Sequence, residues 1–276
     1  MPAELNGHAD GVDTSALKRA LRATVAGEVR FDAGARAMYA NDFSVYRAVP
    51  IGVVIPRTAD YVIAGVAACR QYGAPVLPRG CGTAPSGQTT NVAVVFDYSK
   101  YFNEIVELDP ENKRARVQPG VICDQLRNAA ERHNLTYGPD PATHEYCTFG
   151  GMLGNNSCGT HSLMAGKTSD NVLELELLLY DGTRLTVGPT PDEQLTEIIA
   201  TGDRKAHIYG ALKGPSRLPG RRLQLEGVCV SRTGAPPRAD GAAVAPRGWS
   251  TSRLSSTPRP LPIVGAKCIR AACPQE

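Results

Sequence analysis

The order of apolar runs over the first 213 residues constrains the fold of this chain more than any other feature. Three runs of strand length, "GVVIP", "APVLP" and "VAVVFD", are interrupted by "TADYVIAGVAACRQYG", whose apolar residues recur at helical spacing. Thr58 is placed to cap the start of that helix, and Gly73 to end it in a left-handed conformation. The pattern therefore predicts strands and helices that share a core.

The rest of this region continues the mixture. Two hairpins are predicted, one about the Asp-Pro-Glu-Asn turn of "NEIVELDPENKRARVQPG" and one about Asp181-Gly182 in "NVLELELLLYDGTRLTVG". Helices are predicted in "TSALKRALRATVAG", with Thr14 or Ser15 as the cap, and in "VICDQLRNAAERHN". The order strand, helix, strand, strand, hairpin, helix, hairpin is typical of a mixed α+β fold and not of a strict βαβ alternation.

The composition changes near Leu212–Gly214. Residues 214–276 contain nine Pro, seven Gly and nine Arg, show no apolar periodicity and carry a net charge of +7, whereas residues 1–213 carry −4. Such a segment buries too little apolar surface to offset its ordering entropy, so we expect a disordered tail. An off-frame reading of a GC-rich gene would give the same bias, which leaves a frameshift as a second hypothesis. A basic arm for nucleic acid is disfavoured because Trp249 is the only aromatic residue there.

The sequence also carries information about compartment and metals. No run reaches the roughly 18 apolar residues that a membrane span needs, and the N-terminus lacks the basic and apolar regions of a secretory signal. We therefore expect a cytoplasmic protein, or one attached peripherally to the inner face of a membrane. The eight cysteines are scattered, with no CxxC pair and no His at zinc spacing, so no metal site is predicted and the thiols are expected to be reduced.

Two runs rich in small residues need a separate explanation: "PRGCGTAPSGQ" at 78–88 and "TFGGMLGNNSCGTHS" at 148–162. Gly and Ser/Thr in tight turns can present backbone N–H groups to phosphate oxygens, and the first run follows a predicted strand. It is neither a Walker loop, since no GK[ST] follows, nor a Rossmann fingerprint, since the final glycine is missing. The second run would let backbone lie flat against a planar ring system. Spacing alone leaves both a plain surface turn and a nucleotide cradle open.

Three stretches together resemble the PCMH-type FAD-binding domain of the vanillyl-alcohol oxidase/p-cresol methylhydroxylase superfamily: "VVIPRTADYVIAGVAACRQYGAPV", "PVLPRGCGTAPSGQTTN" and "GPDPATHEYCTFGGMLGNNSCGTHSLMAGKTSDNVLELELLLYDG". Within it they look most similar to bacterial FAD-linked D-lactate, glycolate or 2-hydroxyglutarate dehydrogenases. The resemblance covers roughly Arg36 to Val187 and implies two α/β subdomains that clasp FAD. It divides the chain into a helical lead-in (1–35), the FAD-binding domain (36–213) and the tail (214–276).

The resemblance also implies which residues contact the cofactor. The first run would wrap the FAD pyrophosphate, and the second run with the "GPDP" turn would line the flavin and its ribityl chain. The residues implied are Arg79, Gly80, Cys81, Gly82, Thr83, Ser86, Gly87, Gln88, Pro139, Asp140, Thr148, Gly150, Gly151, Asn155 and Gly159. Relatives that attach flavin covalently at the first run use a His where Thr83 stands, so the FAD is expected to be noncovalent. Relatives usually have Ser-Leu at Ala84-Pro85, and this departure removes a hydroxyl and a backbone donor.

The implied chemistry is oxidation of a 2-hydroxy acid, such as D-lactate or glycolate, to a 2-oxo acid with electrons passing to the flavin. In the family a second domain supplies the substrate pocket and the base. No stretch after Leu212 reads as that domain, and spacing singles out none of His133, His144, His161 and His207, so no catalytic residue is assigned. Three functions stay open: a 2-hydroxy-acid dehydrogenase, an FAD-binding remnant without turnover, and an interaction protein without flavin.

Overall fold

The computed structural model describes residues 11–216 and 263–270, whose strands form two separate β-sheets. The mixed α+β class is confirmed. The strands are β1 (Gly27–Arg30), β2 (Gly52–Pro56), β3 (Val76–Arg79), β4 (Val94–Asp97), β5 (Ile105–Asp109), β6 (Arg114–Val117), β7 (Val172–Leu178), β8 (Arg184–Val187) and β9 (Ile263–Arg270). The helices are α1 (Thr14–Thr24), α2 (Ala33–Met38), α3 (Ala59–Gln71), α4 (Cys123–Glu131), α5 (Phe149–Asn155), α6 (Ser162–Ala165), α7 (Asp192–Ala200) and α8 (Arg204–Ser216).

The first sheet has the order β1-β2-β4-β3 and is covered on both faces. Strand β1 is antiparallel to β2, whereas β2, β4 and β3 run parallel. Every residue of β2 and β4 is buried. Because side chains alternate along a strand, Val54 and Phe96 join the core beneath α1 and α3, and Val53 and Val95 join a smaller cluster flanked by Tyr39 and Tyr101. This double cover explains the continuous apolar runs in the sequence.

The capping residues predicted from the sequence are confirmed for α3 but not for α1. Thr58 caps α3, and Gly73 follows it with a φ of +66°, as predicted. The prediction of Thr14 or Ser15 as the cap of α1 was wrong, because the side chain of Asp13 accepts hydrogen bonds from the backbone N–H groups of Ser15 and Ala16. The longest helices in the described part of the chain, α3 and α8, have 13 residues each, and no helix there is long and apolar enough to cross a membrane.

The second sheet is antiparallel throughout, with the order β5-β6-β9-β7-β8. Both predicted hairpins are present, and Gly182 takes a φ of +92° in the turn between β7 and β8. Helices α4 and α5 pack on this sheet through Leu126, Phe149 and Met152, all fully buried. Tyr137 meets the ring of Phe149 edge to face at 4.9 Å between ring centroids.

Strand β9 lies within the tail that the sequence predicts to be disordered. Its backbone pairs with β6 at Arg114–Ala115 and with β7 along Val172–Leu178. The structure differs from the prediction at this segment because β6 and β7 each present an edge of backbone hydrogen-bonding groups, and one strand between them satisfies both edges. The remainder of the tail, residues 217–262 and 271–276, lies outside the described residues. The frameshift near Leu212–Gly214 stays a prediction.

Glu28 on β1 carries a pH-dependent contribution to stability. Its carboxylate accepts hydrogen bonds from Lys100 and Arg30, and from the hydroxyl of Tyr101 at 2.9 Å. These contacts, with Lys100 foremost, lower the pKa of Glu28 from 4.5 to about 2. A depressed pKa in the folded state stabilises the fold above pH 4.5, and the contribution is lost as the pH falls toward 2.

We therefore expect Glu28→Gln to lower the free energy of unfolding at neutral pH by about 1 kcal/mol, a value set by the partial exposure of the cluster. The difference from the unaltered chain should shrink as the pH falls below 4.5. Urea unfolding of both proteins, at neutral pH and at several pH values below 4.5, measures this difference in the free energy of unfolding. A difference that stays constant on acidification would show that the carboxylate charge contributes nothing.

Candidate functional site

The first glycine-rich run is held in place by the side chain of Arg79, the last residue of β3. The buried guanidinium donates hydrogen bonds to the backbone carbonyl oxygens of Asn41 at 2.8 Å and Thr89 at 2.8 Å, with a longer bond to that of Tyr39 at 3.4 Å. Burial lowers the pKa of Arg79, and the nearby carboxylates of Asp42 and Asp97 oppose this effect. The Arg79 side chain therefore ties both ends of the run to the segment after α2.

Three glycines of this run stand where no side chain fits. A Cβ at Gly80 would lie 2.0 Å from Oγ1 of Thr148, and one at Gly82 would lie 2.5 Å from Nη2 of Arg79. A Cβ at Gly87 would lie 2.7 Å from the ring of Tyr46, and both Gly82 and Gly87 have positive φ angles. The glycines of this run thus allow other groups to approach its backbone closely, and they do not only form a turn.

The middle of the run leaves hydrogen-bond donors available. Within the described residues, the backbone N–H groups of Cys81, Gly82 and Thr83 have no acceptor, whereas the carbonyl oxygen of Gly82 accepts from the N–H of Phe43 at 2.9 Å. Ala84 is buried and Pro85 is exposed. Consecutive backbone N–H groups without acceptors can bind phosphate oxygens.

The second glycine-rich run folds differently from the expected flat segment. Residues Phe149–Asn155 form α5, and Thr148 caps it by accepting a hydrogen bond from the N–H of Gly151 at 3.3 Å. Phe149, Met152 and Leu153 are buried at helical spacing, so core packing outweighs the low helix propensity of the three glycines in this helix. Gly151, Gly154 and Asn155 are left on the exposed side.

Two of the predicted residues in this run make hydrogen bonds within the protein. The N–H of Gly150 donates to the carbonyl oxygen of Pro119 at 2.8 Å, and a Cβ there would meet Pro119 at 2.9 Å. The amide oxygen of Asn155 accepts from the hydroxyl of Ser157 at 2.6 Å. Gly150 thus serves the packing of α5 on the loop before α4.

The "GPDP" turn and the end of the second run are in direct backbone contact. A Cβ at Gly159 would lie 1.7 Å from the carbonyl oxygen of Asp140 and 2.8 Å from that of Pro139. The hydroxyl of Ser162 accepts from the N–H of Gly159 at 2.9 Å and donates to the carbonyl oxygen of Pro139 at 3.1 Å. Asp140 itself has a φ of 47°, which is uncommon for a residue other than glycine.

A chain of charged side chains runs along this part of the site. Arg127 bridges Asp124 at 3.3 Å and Asp140 at 2.8 Å. Nδ1 of His144 lies 2.8 Å from Asp124, and Nδ1 of His161 lies 3.1 Å from Asp140. Sequence spacing gave no reason to single out either histidine, because each meets its carboxylate from a different loop. The arrangement fixes Asp140 from two sides and places a titratable imidazole at the surface beside it.

The structure brings some of the predicted residues together and leaves others apart. Gly80 contacts Thr148, and Pro139 and Asp140 contact Gly159. Gly87 instead packs against Tyr46, which the sequence did not identify, and Ser86 and Gln88 beside it are exposed. The described residues contain no cluster of three or more His, Cys, Asp or Glu side chains that could hold a metal ion.

Comparison with known proteins agrees with this geometry. Residues 50–188 match the protein family described as an FAD binding domain. The chain is 36% identical over 187 residues to a D-2-hydroxyglutarate dehydrogenase of Pseudomonas putida, a match that covers 66% of this chain and 18% of that protein. It is 37% identical over 187 residues to glycolate oxidase subunit GlcD of Escherichia coli, covering 67% of this chain and 38% of that subunit. The chain thus matches about a fifth to two fifths of the length of these relatives.

A solved structure shares the fold. An alkyldihydroxyacetonephosphate synthase superposes with a TM-score of 0.56 at 22% sequence identity, over 66% of this chain and 36% of that protein. At this identity the likeness speaks for the fold alone. The family match spans half of the chain and includes both glycine-rich runs and strands β2 to β8. This protein therefore belongs to the family of FAD-binding domains, and the predicted resemblance to the PCMH type is confirmed.

Proposed function

We propose that residues 36–213 bind FAD noncovalently between the two glycine-rich runs. The observation that carries the proposal is the contact between Gly80 and Thr148, which is so close that a Cβ at Gly80 would not fit. This contact joins the first run, which the resemblance assigns to the pyrophosphate, to the second run, which it assigns to the flavin. The N–H groups of Cys81, Gly82 and Thr83 would donate to the pyrophosphate. Arg79 and Gly150 would act as positioning residues, since their polar groups are satisfied within the protein.

The rest of the assigned set would line the cofactor from the sides. Thr83, Ser86 and Gln88 would supply further donors at the pyrophosphate end. Along the flavin and its ribityl chain, the proposal keeps Pro139, Asp140, Thr148, Gly151, Asn155 and Gly159. FAD would supply a two-electron acceptor, while the chain's own residues would bind and orient it.

Reconstitution with FAD tests this proposal. After incubation with FAD and desalting, the purified chain should retain the visible flavin absorbance, despite Ala84-Pro85, because the amides on either side of that pair remain available. Acid precipitation should release all of the flavin, since Thr83 offers no imidazole for a covalent bond. A chain unfolded in urea before desalting serves as the control. A folded chain without flavin absorbance would refute the cradle, and flavin that stays with the acid precipitate would refute noncovalent binding.

The reaction we propose is that of the relatives: an FAD-linked dehydrogenation of a 2-hydroxy acid to a 2-oxo acid. The relatives' names place D-2-hydroxyglutarate and glycolate among the acids to be tested, and D-lactate is tested because a relative from Kluyveromyces lactis is a D-lactate dehydrogenase. The alternative is an FAD-binding remnant without turnover, and the observation that favours it is the 18% to 38% of the relatives' length that the chain matches.

Anaerobic addition of each acid to the FAD-loaded chain distinguishes the dehydrogenase from the remnant without turnover. Bleaching of the flavin by one acid, followed by reduction of an artificial electron acceptor, establishes the dehydrogenase. Flavin that is bleached by dithionite but by none of the acids establishes the remnant. A cytoplasmic location, or peripheral attachment to the inner face of a membrane, remains a prediction that cell fractionation would check.

A further inference from the structure

Cys123 and Cys147 face each other across a short antiparallel contact next to the second glycine-rich run. Ile122 and Thr148 form a β-bridge, and the N–H of Cys123 donates to the carbonyl oxygen of Cys147 at 2.9 Å. The register therefore sets the two cysteines directly opposite each other. Residues opposite each other in antiparallel pairs have Cα atoms about 4.5–5.5 Å apart, and disulfides span Cα separations of about 4.4–6.8 Å.

The side chains of this pair also meet. The two thiols are within hydrogen-bonding contact of each other. This contact raises the pKa of Cys123 and lowers that of Cys147, so Cys147 is the thiol that ionises first. Cys123 is fully buried, whereas Cys147 keeps 5% of its surface exposed. Both cysteines are buried side by side, and two thiols held opposite each other are the arrangement from which a disulfide forms.

The other described cysteines lack this arrangement. Cys69 is fully buried in the core of the first sheet, and burial raises its pKa to about 12. Cys81 and Cys158 are exposed. Cys69, Cys81, Cys123, Cys147 and Cys158 are free thiols in this structure, and among these five the register pairs only Cys123 with Cys147.

We propose that Cys123 and Cys147 form a redox site, a dithiol that hydrogen peroxide converts to a disulfide. The Cys147 thiolate attacks one peroxide oxygen, the O–O bond breaks, and the departing hydroxide is protonated to water. The sulfur of Cys123 then displaces the hydroxyl from the sulfur of Cys147, an S–S bond forms, and a second water leaves with the Cys123 proton. Two electrons pass from the two sulfurs to the two peroxide oxygens, and no other reactant is needed.

The disulfide would fix the contact between the start of α4 and the start of α5. Thr148, which follows Cys147, caps α5 and lies against Gly80. Oxidation therefore acts at the contact between the two glycine-rich runs. The dithiol site itself does not depend on whether FAD binds.

The test uses the full chain with Cys81→Ser and Cys158→Ser, which removes the exposed thiols and leaves six of the eight cysteines. After treatment with a small excess of hydrogen peroxide and removal of the oxidant, thiols are titrated in denaturant and the chain is digested under non-reducing conditions. We expect two thiols to be lost and the tryptic peptides 117–127 and 133–167 to be linked. Undiminished thiols, or a link between other cysteines, would overturn the proposal.

Two further variants in the same background control for general oxidation. Cys69→Ser removes a buried cysteine outside the pair, so two thiols should still be lost. Cys123→Ser should lose none to a disulfide, and a loss equal to that of the parent would overturn the proposal. If circular dichroism shows that Cys123→Ser does not fold, Cys147→Ala replaces it. The linked peptides of the parent decide the question without either variant.

Discussion

Replacing Gly159 by alanine is expected to abolish FAD binding and to destabilise the fold around the second sheet. The new Cβ would lie 1.7 Å from the carbonyl oxygen of Asp140 and 2.8 Å from that of Pro139. Both contacts are with backbone, so turning a side chain does not relieve them. Overpacking of this kind costs about 1–3 kcal/mol, and we expect the free energy of unfolding to fall by about 3 kcal/mol. Urea unfolding and retention of flavin after desalting measure the two effects.

Gly154→Ala is the matched control for this variant. It lies in the same run, on α5, and a Cβ there has nothing within 4 Å. Alanine is favoured over glycine in a helix by about 0.5–1 kcal/mol, so this variant should be slightly more stable and should keep its flavin. If both variants lost stability and flavin alike, the contact between Gly159 and Asp140 would not be the cause.

The second large effect is expected for Arg79→Met. Methionine keeps most of the length of the side chain but leaves the carbonyl oxygens of Asn41 and Thr89 without their donor. An unsatisfied buried polar group costs about 1–3 kcal/mol. We expect the free energy of unfolding to fall by about 3 kcal/mol and the dissociation constant for FAD to rise at least about tenfold, the change that about 1.4 kcal/mol produces.

Arg79→Lys and Arg132→Ala complete this series. Lysine restores the charge but not the planar fork that reaches two carbonyl oxygens at once, so it should recover only part of the loss. Arg132 is exposed at the end of α4, and its replacement should change stability by less than about 0.5 kcal/mol. Unchanged FAD affinity in Arg79→Met would show that the first run keeps its shape without the guanidinium.

Local chemistry made much of the first sheet predictable. Thr58 and Gly73 mark the ends of α3 because a cap side chain and a left-handed residue act within a few positions of each other. The turn at Asp181-Gly182 is equally local. Strand β1 was missed, since "GEVR" has no apolar alternation and is defined by its pairing with β2. Helix α5 was missed because its glycines disfavour a helix, and only burial of Phe149 and its neighbours on the second sheet overrides them.

The candidate site was predictable in composition but not in its contacts. The glycines of both runs could be named from the resemblance, whereas the partners that require glycine could not. Thr148 meets Gly80 from 68 positions along the chain, and the carbonyl oxygen of Asn41 meets the Arg79 side chain from 38 positions away. The pairs His144–Asp124 and His161–Asp140 are likewise set by the packing of loops. No local spacing encodes such contacts.

The strand order of the first sheet divides it into parts that open independently. Strands β2 and β4 are central and buried throughout, so their amide hydrogens exchange with solvent only when the whole unit unfolds. Among the described strands, β3 lies at the edge of the sheet and pairs with β4 alone, and it contains Pro78, which has no N–H to contribute. The first glycine-rich run therefore follows an edge strand, which we expect to open at a lower free-energy cost than the central strands. We expect such an opening to leave the buried central strands β2 and β4 paired, which amide hydrogen exchange would show as slow exchange there and faster exchange in β3.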